Sequence, residues 1–365
     1  MKYTHLRAAY PLLISKLILI WLITGCGLLT HSKPTPLPPT VFPRQNNELS
    51  ADEIATLDSL EQLDDYPLYT MRYKSDYPDQ AFSTNERITS DKTYTPATES
   101  CQLRFNCSLF STLGDSNNRL YGRNFDWQFS PALLLFTDPP DGYASVSMVD
   151  MAYLGFSDSL ASNLTELSLI ERKSLLRAPF LPFDGMNEQG LAIGMAAVPP
   201  GEMRSDRQKK TIDELMAIRE ILDHASTVDE AINILGNYNI DMGNVPLHYL
   251  IASATGNSAL VEFYKGKMVV FRNESPWQVA TNFLVASTGG HPQGQCPRYD
   301  RLSQQLTSTR GLLTIQEAFL LLKDVSQDNT QWSVVYGMTS GDINIIMGRK
   351  YTDEIHTLHL NLSKQ

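Results

Sequence analysis

Cys107-Ser-Leu-Phe-Ser-Thr-Leu113, Gly114-Asp-Ser-Asn-Asn118 and Leu120-Tyr-Gly-Arg-Asn-Phe-Asp-Trp127 follow one another almost without a break. The outer two pieces are short and apolar or alternating, and the middle piece is built of turn residues. That is the pattern of an antiparallel hairpin. If Cys107 opens one strand and Arg123–Asp126 closes its partner, the two ends meet in space and a thiol lies beside a guanidinium and a carboxylate. The guanidinium stabilises a thiolate and lowers the thiol pKa, while Asp126 can hold an ammonium or orient a base. No histidine lies nearby in sequence to be that base. A chain cut before Cys107 would supply one itself, an α-amine with a pKa near ~8, which can take the thiol proton as it does from an N-terminal threonine.

The rest of the chain predicts an α+β fold. Four pairs read as capping boxes that start helices: Ser50/Glu53, Thr211/Glu214, Thr227/Glu230 and Thr314/Glu317. An apolar pattern at helical spacing follows each. Further short strands are expected at Leu191–Val198, after the turn Asn187-Glu-Gln-Gly190, and at Tyr249–Ala254 with Ala259–Tyr264. Gln331–Met338 with Ile343–Met347 completes the set. Strands at both ends of this region and helices in its middle point to antiparallel sheets covered by helices, rather than to strict βαβ alternation.

At this point the sequence resembles a known family. Cys107 with Arg123 sixteen and Asp126 nineteen positions later is similar to the choloylglycine hydrolase superfamily. That group includes bile-salt hydrolases, penicillin V acylase, acid ceramidase and the isopenicillin-N acyltransferase relatives. The likeness continues in Asp184-Gly-Met-Asn187-Glu-Gln-Gly190-Leu, in Thr281-Asn282 and in Arg298-Tyr-Asp-Arg301. It implies a four-layer αββα sandwich of the N-terminal-nucleophile hydrolases, with Cys107 as nucleophile and Arg123 and Asp126 around its thiol and amine. Asn282 would be the oxyanion-hole side chain, and Arg298 a cation behind the reacting groups or on the substrate side. Two features depart from the bile-salt enzymes. Where they carry an asparagine, this chain reads Met195-Ala-Ala-Val-Pro199, and 106 residues precede the cysteine. The long leader is more like acid ceramidase, where self-cleavage makes α and β chains.

The N-terminus reads as an export signal. Lys2, Arg7 and Lys16 precede the apolar run Leu17–Ile23, and Leu22-Ile-Thr-Gly-Cys26 looks like a lipobox, with Cys26 as the lipidated residue. The expected organisation is a lipoprotein signal at 1–26, a proline-rich tether at 27–48, an α-chain-like segment at 49–106 and a catalytic domain at 107–365. The expected location is the cell envelope, with membrane attachment through the lipid alone. Losing Lys2, Arg7 and Lys16 takes the net charge from −10 to −13, which argues against nucleic acid as a partner. Cys101, Cys107 and Cys296 remain, an odd number. Either one pair forms and one thiol stays free, or none pair, and only Cys101–Cys296 would leave Cys107 free.

No phosphate loop or dinucleotide motif is present, so no cofactor is expected. His356 and His359 lie three apart in a strand-like stretch and face opposite ways; His224 ends a helix; His248 and His291 have no partner at metal-ligand spacing. The leading function is hydrolysis of an N-acyl amide through a thioester on Cys107. Acyl transfer to an amine is the alternative within enzymes, and a catalytically silent ligand-binding lipoprotein the alternative outside them. Phe125, Trp127, Leu133-Leu-Leu-Phe136 and Met195-Ala-Ala-Val198 give the surroundings of the site an apolar cast, which suits a neutral acyl group.

Overall fold

A computed structural model describes residues 49–77, 107–156, 163–201, 205–243, 245–352 and 355–363. The expectations placed on residues 1–48, Cys26 among them, and on Cys101 and Asn106 lie outside these residues. The chain begins with α1 (Ala51–Asp58), β1 (Glu61–Asp64) and β2 (Leu68–Arg72), and then the hairpin of β3 (Ser108–Thr112) and β4 (Leu120–Asp126). After it come β5 (Ala132–Thr137), β6 (Ser145–Asp150), β7 (Asp184–Asn187), β8 (Leu191–Ala197) and β9 (Thr211–Asp213). The middle holds α2 (Glu214–His224), α3 (Val228–Asn237), β10 (Asn239–Asp241), β11 (Leu247–Ser253), β12 (Ser258–Tyr264), β13 (Lys267–Arg272) and β14 (Trp277–Ala280). The chain closes with α4 (Pro297–Ser308), α5 (Ile315–Asp324), β15 (Thr330–Gly337), β16 (Asp342–Met347) and β17 (His356–His359).

The described strands build two main sheets. One runs β1-β2-β5-β6-β7-β8-β11-β12-β13 and the other β14-β3-β4-β15-β16-β17. Pairing in both is antiparallel except between β2 and β5, which run parallel. This exception to the purely antiparallel expectation arises because β2 enters from the segment before the hairpin. The sheets face each other, and alternation decides what each strand contributes. Leu109, Tyr121, Phe125, Trp332 and Val334 meet Leu134, Met148, Met186, Ala192 and Leu250 in one buried cluster. The opposite faces of β3, β4 and β15 send Phe110, Leu120 and Val335 against Leu302, Leu306, Phe319 and Leu322 of α4 and α5. Behind the larger sheet, α2 and α3 cover one part, while α1 and the 3₁₀ turns of Lys173–Phe180 cover β2, β5 and β6. Helix, sheet, sheet, helix is the four-layer order the resemblance implies.

One strand corrects the apolar-surroundings argument. In Leu133-Leu-Leu-Phe136, Leu133 and Leu135 pack against the α1 layer while Leu134 and Phe136 turn inward, so only half of that run belongs to the inter-sheet core.

Three of the four capping boxes form as read, at Ser50/Glu53, Thr227/Glu230 and Thr314/Glu317. The fourth does not. Thr211 lies in β9, paired with Asn239 of β10, and Asp213 caps α2 by accepting from the N–H groups of Leu215 and Met216. A Ser/Thr-x-x-Glu pattern is outcompeted here because an aspartate two residues on offers a stronger acceptor to the same helix start. Asp213→Ala is therefore expected to cost about 1 kcal/mol of stability and exposed Thr211→Ala less than about 0.5 kcal/mol; urea midpoints at unchanged slope check both.

Candidate active site

The hairpin brings Cys107, Arg123 and Asp126 together. In register, Leu109 faces Arg123 and Ser108 faces Asn124, so Cys107 and Leu109 share the inner face of the sheet with Arg123 and Phe125. Cys107 is 4% exposed, and Arg123 Nη2 donates toward its sulfur at 4.0 Å. The other arm of the guanidinium reaches across the core. Arg123 Nη1 donates to the Asp184 carboxylate and, at 2.5 Å, to the Phe183 carbonyl. Tyr336 donates its hydroxyl to the second Asp184 oxygen.

The two sheets can approach here because the residue beside Asp184 is a glycine. Asp184 pairs with Gly194, and a methyl group on Gly194 would lie 2.8 Å from the Tyr121 hydroxyl and 3.0 Å from Leu109. Asn187 and Gly190 form the turn that holds β7 to β8. Asn187 Oδ1 accepts from the N–H groups of Gln189 and Leu191, and Gly190 has a φ of 68°. These two shape the backbone and touch none of the reactive groups described above.

Asn282 and Arg298 arrive from β14 and α4. β14 pairs with β3 so that Ala280 faces Leu109, which sets Asn282 beside Cys107. Arg298 Nη1 donates to the Cys107 carbonyl at 2.6 Å and to the Ser108 hydroxyl at 3.0 Å, and its Nη2 donates to Asn282 Oδ1 at 3.1 Å. Since arginine can only donate, the Asn282 oxygen must face it. The amide nitrogen then donates one hydrogen to the Ala197 carbonyl at 2.7 Å and keeps a second hydrogen for another acceptor. Of Arg298 and Arg301, which open the same helix, the motif favours Arg298, and it is Arg298 that reaches the site. Arg301 is exposed and pairs with Asp324.

Burial pushes the Cys107 thiol up; Arg123 pulls it down, Asp126 pushes it up again, and the net is a raised pKa. The sulfur is therefore a resting thiol that needs a base. Burial also pushes the Asp126 carboxyl up to about 7, against the pull of the Thr330 hydroxyl, Arg298 and Arg123. Thr330 donates to one Asp126 oxygen; the other is buried and accepts nothing among the described residues. A buried carboxylate with an open acceptor beside a thiol is a seat for an ammonium. Cys296 is disulfide-bonded, and Cys107 is the free thiol among the described residues.

Several members of the site carry no local sign in the sequence. For Asp184 the one hint is an acid opening an otherwise buried strand. Tyr336 and Thr330 carry none. Among the described residues no group of His, Cys, Asp and Glu could hold a metal ion, and no helix is long and apolar enough to cross a membrane.

Residues 107–283 match the linear amide C-N hydrolases, choloylglycine hydrolase family. The family is one of hydrolases that cut linear carbon–nitrogen amide bonds, and the matching span contains Cys107, Arg123, Asp126 and Asn282. Among solved structures, the chain is similar to a mutant of the conjugated bile acid hydrolase from Clostridium perfringens, at 18% identity over 70% of this chain and 92% of that one, with a TM-score of 0.49. It is also similar to the penicillin V acylase from Agrobacterium tumefaciens, at 20% identity over 71% of this chain and 88% of that one, again with a TM-score of 0.49. No curated protein sequence matches the chain.

The raised carboxyl makes the site testable by pH. Asp126 has a folded value of about 7 against an ordinary 3.8, so the folded chain binds the extra proton between those values. Its contribution to stability is complete below about pH 4 and is lost as pH rises through about 7, with a slope approaching ~1.4 kcal/mol per pH unit. In a Cys107→Ala background, where the thiol does no chemistry, Asp126→Asn should flatten that part of the stability–pH curve. Asp150, pushed up to about 6 by burial, remains in both proteins and keeps a smaller slope of the same sign.

Proposed function

We propose that this chain is a cysteine N-terminal-nucleophile amidohydrolase of the choloylglycine hydrolase family, which cleaves itself before Cys107 and then hydrolyses neutral N-acyl amides. The observation that carries this is the open oxygen of buried Asp126 beside a thiol whose own pKa is raised. The site holds two arginines and no histidine among the partners given to Cys107, so the proton acceptor has to come from elsewhere. An α-amine on Cys107 would supply it, and its ammonium form would sit against Asp126.

The reaction then balances as follows. The amine takes the thiol proton, the sulfur bonds to the acyl carbon, and the carbonyl oxygen gains the charge. As that charge collapses the C–N bond breaks, and the leaving amine takes the proton. Water, deprotonated by the Cys107 α-amine, then attacks the thioester; the C–S bond breaks, the carboxylic acid leaves, and the α-amine returns the proton to the Cys107 sulfur. Asn282, whose second amide hydrogen is uncommitted, is the oxyanion donor in this scheme, and Arg298 fixes both its orientation and the Cys107 carbonyl.

Mass analysis after reduction tests the processing. Reduction is needed because Cys296 is disulfide-bonded and the other two cysteines, Cys26 and Cys101, both precede Cys107. Wild type should give a fragment beginning at Cys107, and Cys107→Ala should stay whole and release no amine. A whole wild-type chain that is fully active refutes the α-amine mechanism. For the substrate, Phe125 and Ala196 lie on the inner face, while Met195 and Ala197 alternate to the helix side, and Arg123 and Arg298 already have partners. Neutral acyl amides should therefore exceed a taurine-conjugated bile salt in kcat/KM by about tenfold or more. A panel assayed by amine release reads this, and a bile salt faster than every neutral amide overturns it.

A further inference from the structure

A second buried polar group faces the site from the larger sheet. His248 on β11 and Glu262 on β12 are both 0% exposed, and His248 Nδ1 lies 3.1 Å from Glu262 Oε1. The register gives their direction. Leu250 pairs with Gly194, and His248, two residues away, pairs with Ala196, so His248 shares the face that Gly194 turns to Tyr121 and Leu109. The neighbour of Ala196 is Ala197, whose carbonyl accepts from Asn282. Glu262 reaches the same place through the backbone. Its Oε1 accepts from the Val285 N–H and its Oε2 from the Ala286 N–H, each at 2.8 Å. Val285 opens a 3₁₀ turn, Val285–Ser287, three residues after Asn282.

Asn282 is thus gripped from two directions. Arg298 and Ala197 hold its side chain, and Glu262 holds the backbone that leads out of it. A carboxylate taken wholly out of water is costly unless donors surround it, and Glu262 has three, one of them the imidazole. His248 Nε2 has no partner among the described residues, so the single polar tie of that ring is to Glu262. Were capping the turn all that was needed, a serine, threonine or neutral amide could do it without burying a charge.

We propose that Glu262, kept in place by His248, is a positioning residue that sets where the free amide hydrogen of Asn282 points. The inference rests on the reading of Asn282 as the oxyanion donor. A displacement of a fraction of an ångström in that hydrogen weakens transition-state stabilisation while leaving ground-state binding alone, because the donor distance matters where the oxyanion forms.

The test is a double-mutant cycle in the full, processed protein, with phenylacetyl-4-nitroanilide as probe and iodoacetamide alkylation of Cys107 as a second readout. Asn282→Ala should lower kcat by roughly 10²–10³-fold. Glu262→Gln should lower kcat by about tenfold or more, with KM within about threefold and the alkylation rate unchanged. In the Asn282→Ala background Glu262→Gln should cost less than about twofold further, since residues acting as a unit are not additive. If Glu262→Gln does not fold, His248→Gln, which leaves both backbone donors on Glu262, should show the same non-additivity with a smaller loss. Losses that multiply in the double variant, or wild-type kcat in the single, overturn the inference while leaving the oxyanion reading intact. Wild-type kcat in Asn282→Ala overturns that reading and, with it, the role given to Glu262.

Discussion

The site depends on one ion pair that crosses between the sheets. Arg123 belongs to the smaller sheet and Asp184 to the larger, and both are buried. Such a pair is stable only with its remaining donors and acceptors satisfied, and losing either partner strands a charge at a cost of ~3–5 kcal/mol. Here the Phe183 carbonyl and the Tyr336 hydroxyl complete it. Because Asp184 must come this close, its cross-strand neighbour can carry no side chain, which is the reason for Gly194. Because one arm of the guanidinium is spent on Asp184, the other is left at a fixed angle to the sulfur. A lysine could supply the charge but not both directions at once.

The two acids of the site are set apart by their partners rather than by burial, which they share. Asp184 has an arginine and a phenol. Asp126 has a threonine hydroxyl on one oxygen, more distant arginines and, among the described residues, nothing on its other oxygen. One is committed to architecture and the other keeps an open acceptor. Environments that split like groups in this way are a common means of assigning roles.

Much of this was legible in sequence because it is local. The hairpin from Cys107 to Asp126 is continuous, its turn residues are explicit, and alternation fixes which side chains share a face. The failures also have local causes. At Thr211 the capping pattern was present, but Asp213 competed for the same N–H groups and an edge strand claimed the threonine. In Leu133–Phe136 an unbroken apolar run gave no period from which to tell inside from outside. What stayed illegible is what depends on long-range pairing. Glu262 looks like one charge in an apolar strand, and His248 like an isolated imidazole, until β11 and β12 are laid side by side and the turn after Asn282 is folded onto them. Thr330 and Tyr336 find Asp126 and Asp184 only because β15 pairs with β4 more than two hundred residues away.

The burial of Cys107 also bears on its survival. It is the accessible thiolate that attacks peroxides and disulfides. A sulfur that is almost wholly covered and holds its proton offers them neither the anion nor the access. The same low polarity that keeps the thiol protonated therefore shields it from sulfenic acid formation and from exchange with other thiols. A cysteine held this way can persist under oxidising conditions without a reductant to rescue it.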